Sequence, residues 1–290
     1  MADRGTAESG VRDAARAAGG GWPSARAVAA GALASAAIGA AAYRRESLTC
    51  GGVAGALLVG TMVFAAGGPR PAAQLVAFFV SSSALSHWRR ERKRAAAVEV
   101  AKGGRRDFRQ VLANGGVAAA LAAVGRRWPA APWRDALLGA LATVDADTWA
   151  TELGLLSARP PRLVTTLRAV PAGTSGGVTL AGALAAAGGA GAIGLVAAIG
   201  PRGRSRPAAV ALAVVAGVAG AFADSVLGAT LQARYRCPRC GALTERTRHC
   251  DAPTVLVGGL RWLDNDAVNL ASSAIGAATG WLAGRVLRAG

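Results

Sequence analysis

The chain is poor in acidic residues, aromatic side chains and cysteine, and each shortage removes a class of protein. Asp and Glu number 16 against 33 Lys and Arg, a formal charge of +17 over 290 residues. Such a balance raises the question of nucleic acid, but the arginines are spread through every loop and no domain-sized basic module gathers them, so a nucleic-acid partner is excluded. Aromatic residues make up 5% while hydrophobic residues make up 52%, so the apolar half is built from Ala, Leu and Val beside 40 Gly. Of the four cysteines, Cys50 is isolated and Cys237, Cys240 and Cys250 cluster beside His249. That is no disulfide framework and points to a reducing side of a membrane. Residues 1–26 are rich in Arg and Ala but hold Asp3, Glu8 and Asp13. They lack the pattern of a cleaved secretory signal and are expected to be a weakly structured leader or a targeting segment.

What is present is a series of long runs with few or no charges. Eight are legible, at 27–43, 51–68, 72–87, 110–125, 135–157, 174–199, 207–232 and 267–285. The mean hydropathy of +0.35 would also fit a soluble Ala/Gly-rich domain, but a membrane helix needs about 20 predominantly apolar residues, and the length of these runs decides for the membrane. The prolines at 69, 71, 132, 160, 161, 171, 201 and 207 fall between runs, where a helix can end without losing an internal hydrogen bond. The expectation is an all-α polytopic integral membrane protein with about six to eight transmembrane helices, residues 27–290 forming one domain. The first, third and fourth runs are short enough to be tilted or re-entrant. No internal repeat is evident.

The loop 87–109 carries nine basic residues, from Arg89 to Arg109. The positive-inside tendency places it on the inner side, with anionic lipid headgroups as its expected contact. Alternation then puts loops 44–50, 158–173 and the Cys-rich 233–262 on the same side, with 20 of the 33 basic residues. Polar residues of six segments fall toward that side, as expected of one cavity.

Ionisable groups in hydrocarbon cost about 2.5–3.5 kcal/mol even on the lenient insertion scale, so those that occur tend to be functional. In DADTWATELG (145–154) a helix puts Asp145, Thr148 and Glu152 on one stripe and Asp147, Thr151 and Gly154 on another. Two or three carboxylates of this kind suit Mg²⁺, which takes a few carboxylates together with substrate phosphates and water. A helix end with acids capping at the interface is the structural alternative. In ADSVLGATLQ (223–232), Asp224, Gly228 and Gln232 align at i, i+4 and i+8, offering a further metal or phosphate ligand or an acid paired to an Arg.

PAGTSGGVTLAG (171–182) reads as a glycine-rich turn opening a helix, where Thr174, Ser175, Gly176 and Gly177 could receive a phosphate. It has no P-loop lysine, and close packing through small residues would leave the same trace. WLDNDAVNL (262–270) brings Asn265 and Asn269, one turn apart, to a helix start that Asp264 or Asp266 could cap. Arg109 and Asn114 add a phosphate-binding fork and an amide. Cys237, Cys240, His249 and Cys250 offer a possible structural Zn²⁺ site, with free thiols in a hairpin as the alternative.

The stretches SSSALSHWRRERK, RDFRQVLANGG, DTWATELG, GTSGGVTLAG, ADSVLGATLQ and WLDNDAVNL, in that order over most of residues 78–275, together resemble the transmembrane protein 19 family (domain of unknown function 92). That family includes the phytyl-phosphate kinases of plants and cyanobacteria, and the CPRCG…HC insert looks like its photosynthetic branch. The resemblance implies a membrane enzyme that phosphorylates phytyl phosphate or a similar isoprenyl phosphate to the diphosphate, with CTP or another nucleoside triphosphate. Its product would feed tocopherol and phylloquinone synthesis. It implies a plastid membrane in a plant or alga, or the plasma or internal membrane of a photosynthetic bacterium. On this reading Asp147, Glu152 and Asp224 are the catalytic and Mg²⁺-binding acids. Arg109, Asn114, Thr174, Ser175, Gly176, Gly177, Gln232, Asn265 and Asn269 hold substrate phosphates. The partners are the bilayer, the isoprenyl phosphate and the nucleotide, with oligomeric state open. A lipid-phosphate cytidylyltransferase and an ion-coupled transporter are the alternatives.

Overall fold

The computed structural model describes residues 22–96, 104–128, 132–199 and 205–289, so the expected leader lies almost wholly outside the described residues. All eight apolar runs are helical. They form α1 (Ala25–Arg44), α2 (Cys50–Met62, widening into a π-helical turn over Val63–Gly67) and α3 (Pro69–His87). The short α4 (Arg90–Ala96) lies in the basic loop, followed by α5 (Phe108–Arg127), α6 (Trp133–Gly154), α7 (Leu180–Ala197), α8 (Arg206–Thr230) and α9 (Asn265–Ala289). Local chemistry sets the starts. Ser24 and Thr49 cap α1 and α2 through their hydroxyls, Asp107 and Gln110 close a reciprocal capping box on α5, and prolines occupy the first turns of α3 and α8.

The sixth run departs from expectation. Its helix begins at Leu180, not at 174, because Gly173 and Gly176 have positive φ values of 83° and 78° that no helix accommodates. Thr179 is the cap, its Oγ1 accepting from Gly182 N at 2.9 Å.

Against the expected six to eight crossings, four helices among the described residues are long and apolar enough to cross a membrane by length and composition: α1, α2 with its π turn, α7 and α8. The other four long helices, of 19 to 25 residues, carry the polar positions described below. Large apolar side chains point outward, among them Leu33, Leu184, Phe222 and Val286. Such a surface suits hydrocarbon rather than water.

Helix α6 is the axis of the bundle. Every residue from Asp135 to Ala146 is buried, packed among α7, α8, α9, α5 and α3. Small residues let backbones touch, as membrane helices require when no hydrophobic effect drives them together. A Cβ on Gly139 would run into the carbonyl oxygen of Gly276. Beside this contact the buried Thr143 hydroxyl donates to Gly139 O at 2.9 Å and lies 3.3 Å from Ala216 O.

The helices alternate in direction, so the polar loops meet at one end. Arg106 N donates to Ser47 O and Thr49 N to Arg106 O, Arg109 bridges α5 to Asp264, and Ser175 reaches Gln232. At the opposite end Arg70 ties the start of α3 to Ile199 O after α7. The polar end carries the β pieces. Strands β1 (Arg162–Leu163) and β2 (Gly177–Val178) pair between α6 and α7. Between α8 and α9, β3 (Arg234–Arg236) runs antiparallel between β4 (Leu243–Thr244) and β7 (Val255–Gly258), while β5 (Arg248–His249) pairs with β6 (Ala252–Pro253).

Candidate functional site

The two stripes of acids on α6 face different neighbours. Asp147, Thr151 and Gly154 open onto a cavity of about 260 Å³ at the polar end. The turn Gly173–Gly177, Asp224 and Ser225 of α8, Asn265 at the start of α9, and Glu245 from the Cys-rich loop complete its wall. Asp147 and Asp224 are close enough to repel each other. Ser272 of α9 stands beside Asp224, whose Oδ2 is buried without a hydrogen-bond partner. An orphaned carboxylate oxygen beside a second carboxylate is costly unless a cation joins them.

The glycine-rich turn forms the cavity's upper wall. Ser175 Oγ donates to Gln232 Oε1 at 3.0 Å, leaving the buried Gln232 Nε2 without an acceptor. Thr174 Oγ1 closes back on Pro171 O. Gly176 has a packing role as well, since a Cβ there would sit 2.7 Å from Ser225 O on α8. Glu245 is half-buried; burial pushes its carboxyl up from the usual range, against the pull of neighbouring Ser175 and Gln232. Nothing in the sequence marks Glu245. It reaches the cavity only because β4 folds back on β3 and carries the next residue over the end of α8.

Asp145 and Glu152, on the other stripe, face α3 and the basic loop. Ser81 Oγ donates to Asp145 Oδ1 at 2.8 Å. Ser86 Oγ donates to Glu152 Oε1 at 2.5 Å, and Lys93 Nζ lies 2.6 Å from Glu152 Oε2. Arg106 donates to Ser83 Oγ at 3.1 Å; burial lowers its guanidinium from the usual value, opposed by the charges of Glu152 and Asp145. Two cations of the basic loop thus turn into the bundle as counter-ions, because buried carboxylates need partners more than the lipid surface needs two more charges.

The expected phosphate-binding residues separate in the same way. Thr174, Ser175, Gly176, Gly177 and Asn265 line the acid cavity, with Gln232 bonded to its wall. Arg109 is not part of its lining and lies 2.9 Å from Asp264 and 3.9 Å from Asp266. Asp264 is the cap of α9, its Oδ1 accepting from Ala267 N. Asn269, one turn further on, accepts from Ser272 through its carbonyl. Asn114 is elsewhere, in a mainly apolar groove of about 110 Å³ between α1, α2, α3 and α5 whose polar members include Arg106 and Gln110.

Cys237, Cys240, His249 and Cys250 form a separate group on the extramembrane sheet, with one ligating atom from each within 4.8 Å of the others.

The fold and this site define an integral membrane helical bundle with an acid-lined cavity at one end. The chain belongs to the family described as Integral membrane protein DUF92, matched over residues 33–277. It is 37% identical over 257 residues to Protein PGR of Arabidopsis thaliana, covering 79% of this chain and 86% of that protein. An uncharacterized membrane protein of Methanocaldococcus jannaschii is 32% identical over 215 residues, covering 72% and 82%. Protein VTE6, chloroplastic, of Arabidopsis thaliana is 28% identical over 235 residues, covering 79% of this chain and 63% of that protein. No solved structure matches.

Proposed function

We propose that this protein is a membrane prenyl-phosphate kinase. It transfers the terminal phosphoryl group of CTP or another nucleoside triphosphate to phytyl phosphate or a similar isoprenyl phosphate. The observation that carries this reading is the pair Asp147 and Asp224, one oxygen orphaned, facing a cavity walled by a glycine-rich turn. Two carboxylates with room for phosphates fit Mg²⁺, which is held by one or two acids plus substrate oxygens. When bound, the ion would neutralise charge on the triphosphate.

This chain's residues then position the reactants, the larger part of phosphoryl transfer. Asp147 and Asp224 would hold that ion, while the turn at Ser175–Gly177 and Asn265, on the same cavity wall, offer hydrogen-bond donors to phosphate oxygens. The acceptor is already a phosphate monoester, so its oxygen attacks without a strong base; the new P–O bond forms as the bond to the leaving nucleoside diphosphate breaks. The apolar side chains Val218 and Phe222 of α8, which line the same cavity and face outward, supply the berth for the prenyl chain. Glu152, expected to join Asp147 and Asp224 as a metal ligand, has its two oxygens on Lys93 and Ser86 instead and is left out of the proposed ligand set. Similarity to the chloroplastic protein VTE6 supports a plastid membrane as the location.

The decisive test is purified protein with labelled CTP, Mg²⁺ and phytyl phosphate. A kinase yields CDP and phytyl diphosphate. Pyrophosphate with a CMP-linked lipid, or substrate flux in liposomes without nucleotide consumption, overturns the proposal.

A further inference from the structure

The cysteine-rich sheet has no part in the reaction above, yet its geometry is specific. Cys250 Sγ lies 3.8 Å from Cys240 Sγ. His249 Nδ1 lies 3.4 Å from Cys240 Sγ and 3.2 Å from Cys250 Sγ. With Zn–S about 2.3 Å and Zn–N about 2.0–2.1 Å, a tetrahedron has S···S edges of about 3.8 Å and S···N edges of about 3.6 Å. These three separations match those edges to within a few tenths of an ångström, and Cys237 Sγ completes the group within 4.8 Å of the other ligand atoms. A disulfide between Cys240 and Cys250 would need its sulfurs at about 2.05 Å.

The backbone is shaped for the same purpose. Gly241 N donates to Cys237 O and Cys237 N to Ala242 O, both at 2.9 Å, and Gly241 takes a φ of 75°. This tight turn brings the Cys237 and Cys240 side chains to one point. Cys250 and Asp251 adopt positive φ values of 50° and 55°. A non-glycine pair held there is strained unless something fixes it. Three sulfurs and one imidazole nitrogen are the donor set of a closed structural zinc site, and softer than magnesium or calcium accept. Among the described residues this is the one group of three or more His, Cys, Asp or Glu side chains whose ligating atoms converge.

We propose that Cys237, Cys240, His249 and Cys250 bind one zinc ion, which clasps the loop that carries Glu245 to the cavity wall. The ligands bracket Glu245 in sequence, two before it and two after. Fixing both ends of segment 241–248 holds that residue over Ser175 and Gln232. The metal site stands independently of the kinase assignment.

The test uses the full chain purified in detergent from zinc-containing medium. Elemental analysis should find one zinc per chain, and Cys240→Ser with Cys250→Ser should lose it, while Cys50→Ser retains it. Circular dichroism should show unchanged helix content, since the sheet lies outside the bundle. Cobalt substituted into the wild type should give the visible bands of a tetrahedral thiolate site, a readout that needs no variant to fold. Removing the metal should raise amide exchange across 241–249 and at 173–177. Metal-free protein with all thiols titratable, a Cys240–Cys250 disulfide, or zinc unchanged in the double variant overturns the site. Unchanged exchange on chelation overturns the clasp.

Discussion

Lys93 Nζ donates to Glu152 Oε2 at 2.6 Å, joining the basic loop to the end of α6. This pair divides the acids of α6 by role. Glu152 has a cation and a serine hydroxyl on its two oxygens, whereas Asp147, five residues earlier, opens into the cavity with Asp224.

Removing one partner of that pair leaves a buried charge alone. Lys93→Met is expected to cost about 3 kcal/mol, and Lys93→Met with Glu152→Gln to recover most of the loss. Thermal unfolding in detergent reads the cycle. The exposed bridge from Arg109 to Asp264 should behave differently, Arg109→Ala costing less than about 1 kcal/mol. A larger loss for Arg109 than for Lys93 would reverse this ranking.

Asp224→Asn should lower kinase turnover by about 100-fold or more, the usual scale for losing a group that stabilises transition-state charge. It should also leave the protein about as stable as the parent, because Asp224 Oδ2 has no hydrogen-bond partner to lose. Asp147→Asn should do the same. Paired turnover and melting measurements separate this outcome from simple misfolding; a variant of full activity refutes the ligand assignment.

The sign of the pH effect at Glu245 follows from its raised pKa. Above the unfolded value of this carboxyl, the folded state resists ionisation more than the unfolded chain does. Stability should therefore fall as pH rises from the ordinary Glu range toward the folded pKa, then level off. Glu245→Gln should flatten that stretch of the profile and raise the neutral-pH melting temperature by a few degrees. Melting curves from pH 4 to 8 check it, and an unchanged profile counts against burial as the cause.

The contact of α6 with α9 depends on Gly276, where a Cβ would collide with Thr143 Oγ1. Gly276→Ala should destabilise by about 1–3 kcal/mol, the range for overpacking a core. Thr143→Ala removes the obstructing hydroxyl, so the two changes together should cost less than their sum. Additive effects would show that the helices do not approach as described.

Much of the architecture was legible without coordinates. Eight apolar runs broken by prolines became eight long helices, and helical spacing put Asp145 and Glu152 on a different stripe from Asp147, although the expected ligand set had joined Glu152 to Asp147 and Asp224. Helical period is a local property, and so is a cap such as Asp107 or Thr179. The sixth run illustrates the boundary of such reading, because hydropathy continues through Gly176 while its backbone does not.

The sequence by itself determined that carboxylates lie in helices apolar enough to demand a reason for them. Only the tertiary structure decided which acids share a cavity. Glu152 is as close to Asp147 along the chain as a helix turn and a half, yet it faces α3 and meets Lys93. Asp224 and Glu245 come from distant segments and face Asp147 across one space. Periodicity tells which residues share a stripe; which neighbour that stripe faces depends on how α6 is rotated within the bundle. That rotation is set by contacts such as Gly139 on Gly276 and Gly217 on Ala142, between residues far apart in the chain.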